Sequence, residues 1–87
     1  MSNPTSSGEF FHLGLAKIGN VHIVKSIHHF DQYESITRRL LEMGLVPGTE
    51  VEIIHQAPMT HDPIVIQVRG TLLACRRAEV KGVELEC

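Results

Sequence analysis

The sequence predicts a mostly-β domain: a small, strongly bent barrel of about five short strands, with one short α-helix inserted after the first strand. Three observations carry this expectation. Short runs alternate apolar and polar residues, a single segment repeats its apolar residues at three and four, and Gly, Pro and Asp punctuate the chain between them. The strands are too few for a two-layer sandwich and too short for βαβ crossovers, so a curled sheet buries them best. At 87 residues the chain is one domain with a small core.

Residues 1–9 are small and polar and read as a loose tail, so the folded domain is expected over residues 10–87. Phe10, Phe11, Leu13 and Leu15 begin the apolar content. The β-branched run "VHIVKSI", Val21 to Ile27, reads as the first strand and ends at "HHFDQ". Asp31 and Glu34 have capping-box spacing, with Phe30 placed to staple onto the first turn, so a helix is expected to start there. Tyr33, Ile36, Leu40 and Met43 form its apolar stripe, whereas Arg38, Arg39 and Glu42 lie off it. Gly44 stops the helix and sets Leu45 against Leu40, as in a Schellman cap.

Val46-Pro47-Gly48-Thr49 has the central residues of a type II turn. Beyond it Val51 and Ile53 alternate with Glu50 and Glu52, giving a strand with one dry face. "APMTHDP" breaks that strand. Ile64, Ile66 and Val68 alternate again, Arg69-Gly70 makes a turn, and "TLLACRR" runs back as the second arm of a hairpin. "AEVKG" allows one helical turn and "VELE" a last short strand.

Composition limits the partners. A formal charge of −2 and a pI near 6.3 provide no global positive field for nucleic acid or an anionic membrane. One Tyr and three Phe are few for stacking on bases, so no nucleic acid partner is expected. No window approaches the ~20 apolar residues of a membrane span. The N-terminus lacks the basic start and apolar run of a secretion signal, so the cytoplasm is the expected compartment. Cys75 and Cys87 read as reduced thiols.

No catalytic constellation emerges. The carboxylate pairs Glu50/Glu52 and Glu84/Glu86 fall on the wet faces of strands, and no Gly-rich loop precedes a helix and a Lys to cradle phosphate. Neither an enzymatic activity nor a cofactor is expected. Six histidines are many for this length, and His55, His61 and Asp62 flank a bend where they could share a metal ion. Surface histidines with no fixed ligand are the alternative, since no Cys-x-x-Cys accompanies them. Arg38, Arg39, Arg69, Arg76 and Arg77 could gather into a basic patch that docks an acidic protein surface, or form a solvated, salt-bridged face. Leu41, Met59 and Leu72 have no evident place in the core and suggest a contact site, although a wide helix stripe would also cover Leu41.

From Leu13 to Glu86 the sequence resembles the ferrous iron transport protein A family, FeoA. The resemblance rests on Leu13, Ala16 and Gly19, on Val24 and Ile27, and on "RRLLEMGLVPGTEVEI", "APMTHDPI", "VRG" and "LACRR". Two departures stand out. Thr60-His61 replaces a single Gly before Asp62, and Cys75 replaces a Leu expected to be buried. The resemblance implies an SH3-like small barrel, and an accessory role toward a FeoB-like ferrous iron permease through its GTPase domain. Arg38, Leu41, Met59 and Arg69 are expected to form part of that contact. A metal-responsive protein using His55, His61 and Asp62, or a homo-oligomeric adaptor using an open strand edge, are the alternatives.

Overall fold

The computed structural model describes residues 10–87; the expected tail over residues 1–9 lies outside them. Five strands form one antiparallel sheet, β1 (Val21–Ile27), β2 (Glu50–Gln56), β3 (Ile64–Val68), β4 (Thr71–Cys75) and β5 (Val83–Leu85), in the order β4-β3-β2-β1-β5. The helix α1 (Glu34–Glu42) lies between β1 and β2 in the chain. The mostly-β architecture with one inserted helix is as the sequence predicts.

The sheet bends because β1 changes partner along its length. Its first half pairs with β2, Val21 opposite Glu52, and its second half pairs with β5, Ile27 opposite Val83, across a register shift between Val24 and Ser26. A second shift, between Ile53 and His55, bends β2 against β3. Each irregularity adds local twist, which a short sheet needs in order to curl upon itself. Inside lie the expected alternating residues, Val51, Ile53, Ile64, Ile66, Val68, Leu73 and Leu85, joined by Leu13, Val24, Leu40, Leu45, Val80 and Val83. Cys75 is also buried, 6% exposed, so the smaller side chain occupies the interior position expected for it.

The start of α1 departs from expectation. Asp31–Tyr33 is a 3-10 turn, the α-helix begins at Glu34, and neither cap residue makes a side-chain hydrogen bond. The predicted Asp31–Glu34 capping box fails because Asp31 lies inside the 3-10 turn; Phe30 occupies the cap position and has no polar side chain to offer. Phe30 turns toward Gly82, where an added Cβ would sit 3.2 Å from its ring, and Lys81 Nζ lies 4.9 Å from the ring centroid. Half of such a box forms later, before the 3-10 turn Arg77–Val80, where Arg76 N donates to Glu79 Oε1 at 2.7 Å; Glu79 N donates to Arg76 O at 3.0 Å as a backbone bond of the turn.

The end of α1 follows the sequence closely. Leu45 N donates to Leu40 O and Gly44 N to Leu41 O, each at 3.0 Å, which is the Schellman pattern, with Gly44 at φ 95°. Leu40 and Leu45 are both fully buried. Thr49 N donates to Val46 O at 2.9 Å and Gly48 has φ 95°, as the Pro-Gly turn requires. The Thr49 hydroxyl donates to Gly44 O at 3.1 Å and accepts from Val46 N at 3.2 Å, tying the helix end to the first residues of β2.

Candidate interaction surface

The four residues expected to form one contact fall into two groups. Arg38 and Leu41 share an exposed face of α1, three residues apart. Arg38 Nη2 pairs with Glu34 Oε2 at 2.7 Å, an exposed i,i+4 bridge, and Leu41 is 40% exposed, only partly covered by the barrel. Arg69 reaches the same end of the helix. It occupies the two-residue turn between β3 and β4 at φ 51°, with Gly70 at φ 82°, and its Nε donates to Gly44 O at 3.2 Å. The Gly44 carbonyl therefore receives both Thr49 and Arg69, and Arg69 caps the helix C-terminus where a cation is favoured.

Met59 is elsewhere. It lies in the loop joining β2 to β3, at the other end of the hairpin from Arg69, so a strand of roughly 17 Å separates them. Its side chain is 94% exposed and its φ is 71°. The loop turns by placing Met59 and His61 in the left-handed region, with His61 N donating to Ala57 O at 2.9 Å and Thr60 Oγ1 to Asp62 O at 2.7 Å.

The five arginines do not form one patch. Arg77 turns inward: its Nε donates to His61 O at 2.8 Å, its Nη1 to Gly14 O at 3.1 Å and Ala16 O at 2.8 Å, and its Nη2 to Gln56 Oε1 at 2.9 Å. It is a clamp across three chain segments. The sequence read it as surface charge because nothing local distinguishes Arg77 from Arg76; only Asp62, whose Oδ1 accepts from Arg77 N at 3.0 Å, hints at the anchoring. Gly14 fits beside this clamp because an added Cβ would lie 2.5 Å from Arg77 O.

The histidine cluster is not assembled. His55 and His61 are exposed, Asp62 is engaged with the Arg77 backbone, and among the described residues no three His, Cys, Asp or Glu side chains converge on a point able to hold a metal. Other histidines do structural work. His28 Nε2 lies 2.8 Å from Glu84 Oε1, with Lys25 Nζ 3.6 Å from the other carboxylate oxygen, and Phe10 stacks on His28 at 4.3 Å. The hydrogen bond with His28 is the main cause that holds Glu84 below the usual carboxylate range. His12 Nδ1 accepts from Gly14 N at 3.1 Å, and burial, then the charge of Lys81, depress its pKa. Burial, reinforced by Glu79 and Asp62, pushes the Cys75 thiol up to about 12, so Cys75 is a packing residue and not a nucleophile.

A curled five-stranded antiparallel sheet with a single capping helix defines a small SH3-like β-barrel domain. The FeoA domain model matches residues 11–87, and the chain belongs to that family. The FeoA protein of Stenotrophomonas maltophilia, complexed with zinc, superposes with a TM-score of 0.76 at 30% identity over 87% of this chain and 89% of its own. It is described as a unique prokaryotic SH3 domain protein and a proposed ferrous iron transport activating factor. The FeoA protein of Chlorobium tepidum gives 0.70 at 32% identity, covering 86% of this chain and 68% of its own. A FeoA-like protein of Clostridium acetobutylicum gives 0.69 at 33% identity, with 86% and 83% covered. A search of curated protein sequences finds no match. Among the described residues no helix is long and apolar enough to cross a membrane.

Proposed function

We propose that this chain is a non-enzymatic accessory protein of ferrous iron uptake, acting in the cytoplasm by binding the GTPase region of a FeoB-like permease. The observation that carries the reading is membership of the FeoA family over nearly the whole described chain, joined to the activating role proposed for the Stenotrophomonas relative. The mechanism is differential binding: a partner biases a switch only by contacting one of its states better than the other. Arg38 and Leu41 on α1, with Arg69 at its C-terminal end, supply an apolar spot between two cations. Met59 joins that contact only when the partner reaches the opposite end of the barrel.

Calorimetric titration of the chain into the purified GTPase domain, loaded with GDP and then with a GTP analogue, tests this. Binding with different affinities for the two states is expected, and Leu41→Asp should weaken the tighter one by roughly tenfold, as removal of one contact residue does. No heat at hundreds of micromolar in either state would overturn the assignment.

A further inference from the structure

The two edges of the sheet are treated differently. At the β5 edge, Leu85 N donates to Phe11 O at 2.9 Å and His12 bridges Glu84, so the segment entering the barrel covers the strand. At the β4 edge nothing comparable occurs. Among the described residues, Thr71–Cys75 makes backbone hydrogen bonds to β3 alone.

Register shows which groups are left open. Val68 and Thr71 close the two-residue turn as a hydrogen-bonded pair, so Ile66 with Leu73 and Ile64 with Cys75 are bonded pairs as well. Leu72 and Ala74 therefore aim their N–H and C=O groups outward. Their side chains stand on the exposed face, Leu72 being 55% exposed. The usual devices that protect an edge are missing: "TLLAC" contains no charge, no proline and no bulge against β3.

Charge says what fits there. Arg69 precedes the strand and Arg76 follows it, both exposed, while no carboxylate lies on β4 itself. Glu50 and Glu52 share a shallow cleft with Arg69 but lie across β3, make no ion pair with it, and Glu79 faces the Arg76 backbone. A second copy fits poorly. The antiparallel register that pairs Leu72 with Ala74 of another copy sets exposed Arg76 of one opposite Gly70, and so beside exposed Arg69, of the other, at both ends.

We propose that β4 is a strand-addition site, taking an extended segment of a partner protein whose uncharged, β-branched centre pairs with Leu72 and Ala74 and whose flanking carboxylates meet Arg69 and Arg76. Main-chain pairing supplies affinity, and Leu72 with the two arginines supplies selectivity. This goes beyond the permease reading and rests on it only for which protein donates the segment.

The full chain tests it in two stages. Residue-resolved amide exchange should show Leu72 and Ala74 exchanging at least tenfold faster than Leu73; equal protection in the free chain would overturn the proposal, because the edge would already be covered. A library of displayed nine-residue peptides is then panned on the chain. Enrichment of sequences with Asp or Glu at both flanks is expected, as is loss of binding by at least tenfold in Ala74→Pro, which removes an outward N–H at an edge position that tolerates proline. Arg76→Glu, which leaves the strand untouched, should reverse the preference for acidic flanks and serves should Ala74→Pro fail to fold. No enrichment, enrichment without acidic flanks, or capture unchanged in Arg76→Glu would overturn it, as would concentration-dependent dimerisation lost in Ala74→Pro. A GTPase domain that binds Ala74→Pro and parent equally, with no peptide enriched, sinks the strand-addition site and leaves the permease reading standing. Peptide capture with no binding of that domain does the reverse.

Discussion

Replacing Arg77 by methionine keeps an unbranched apolar stem and removes every donor. The guanidinium makes four hydrogen bonds, to the carbonyls of His61, Gly14 and Ala16 and to the Gln56 side chain. A bond from a charged donor contributes ~1.5–3 kcal/mol. The low end for all four gives about 6 kcal/mol. Arg77 is only half-buried, so water reaches some of the released carbonyls, and about half of that, roughly 3 kcal/mol, is expected to be lost. For a domain of this size that is a fall in Tm of roughly 12–24 °C. Urea unfolding followed by far-ultraviolet circular dichroism measures it, since the chain has no Trp. Arg77→Lys, which restores the charge without the fork, should recover about half the loss. A methionine variant within ~0.5 kcal/mol of the parent would refute the clamp, placing Arg77 among surface residues of no consequence.

Three further outcomes follow from the same geometry. Gly44→Ala puts a Cβ 2.7 Å from Arg69 Cδ at a residue of φ 95°, so it should cost ~1–2 kcal/mol in thermal unfolding, and the cost should shrink in an Arg69→Ala background by whatever part is the clash. Iodoacetamide at pH 8 should alkylate exposed Cys87 quickly and Cys75 only at the rate of unfolding, because burial holds that thiol near 12; mass spectrometry showing two rapid adducts would contradict this. Because the folded His12 binds its proton more weakly than the unfolded chain does, its contribution is complete above about 6.5 and is lost as pH falls through the depressed value. The urea midpoint should therefore drop between pH 7 and 5, and more steeply than in a His12→Asn variant.

The elements that local chemistry determines were legible. A glycine able to take positive φ, a Pro-Gly pair and a period of two are each decided within a few residues, and Gly44, Gly48 and the faces of β2, β3 and β4 follow directly. What distance in sequence determines was not legible. Arg77 looks like Arg76 until Gly14, Ala16, Gln56 and His61 are brought around it, and Phe30 looks like a staple for α1 until Gly82 offers a place against which the ring can pack. The spacing within the expected contact set was hidden in the same way: Arg69 meets the end of the helix that carries Arg38 and Leu41 because it donates to Gly44, whereas Met59 is held apart from Arg69 by the full length of β3. His55, His61 and Asp62 are near in sequence, but Asp62 is drawn to the Arg77 backbone and the set does not assemble.

The sheet order explains why a polar clamp stands where a core contact would be expected. β4 and β5 are the two ends of the sheet and do not pair, so the barrel has a seam. β5 is covered on its side of the seam by Phe11 and His12, which lead into the 3-10 turn Leu13–Leu15. Arg77, following β4, crosses to the carbonyls of Gly14 and Ala16 beside that turn. One side chain thus joins the two ends without a backbone ladder. A ladder would have consumed the outward N–H and C=O groups of Leu72 and Ala74; a side-chain clamp placed beyond the end of β4 closes the seam and leaves those groups available. The open edge is in this sense a consequence of how the barrel is shut, which is why loosening Arg77 and blocking Ala74 should have separable effects, the first on stability and the second on recognition.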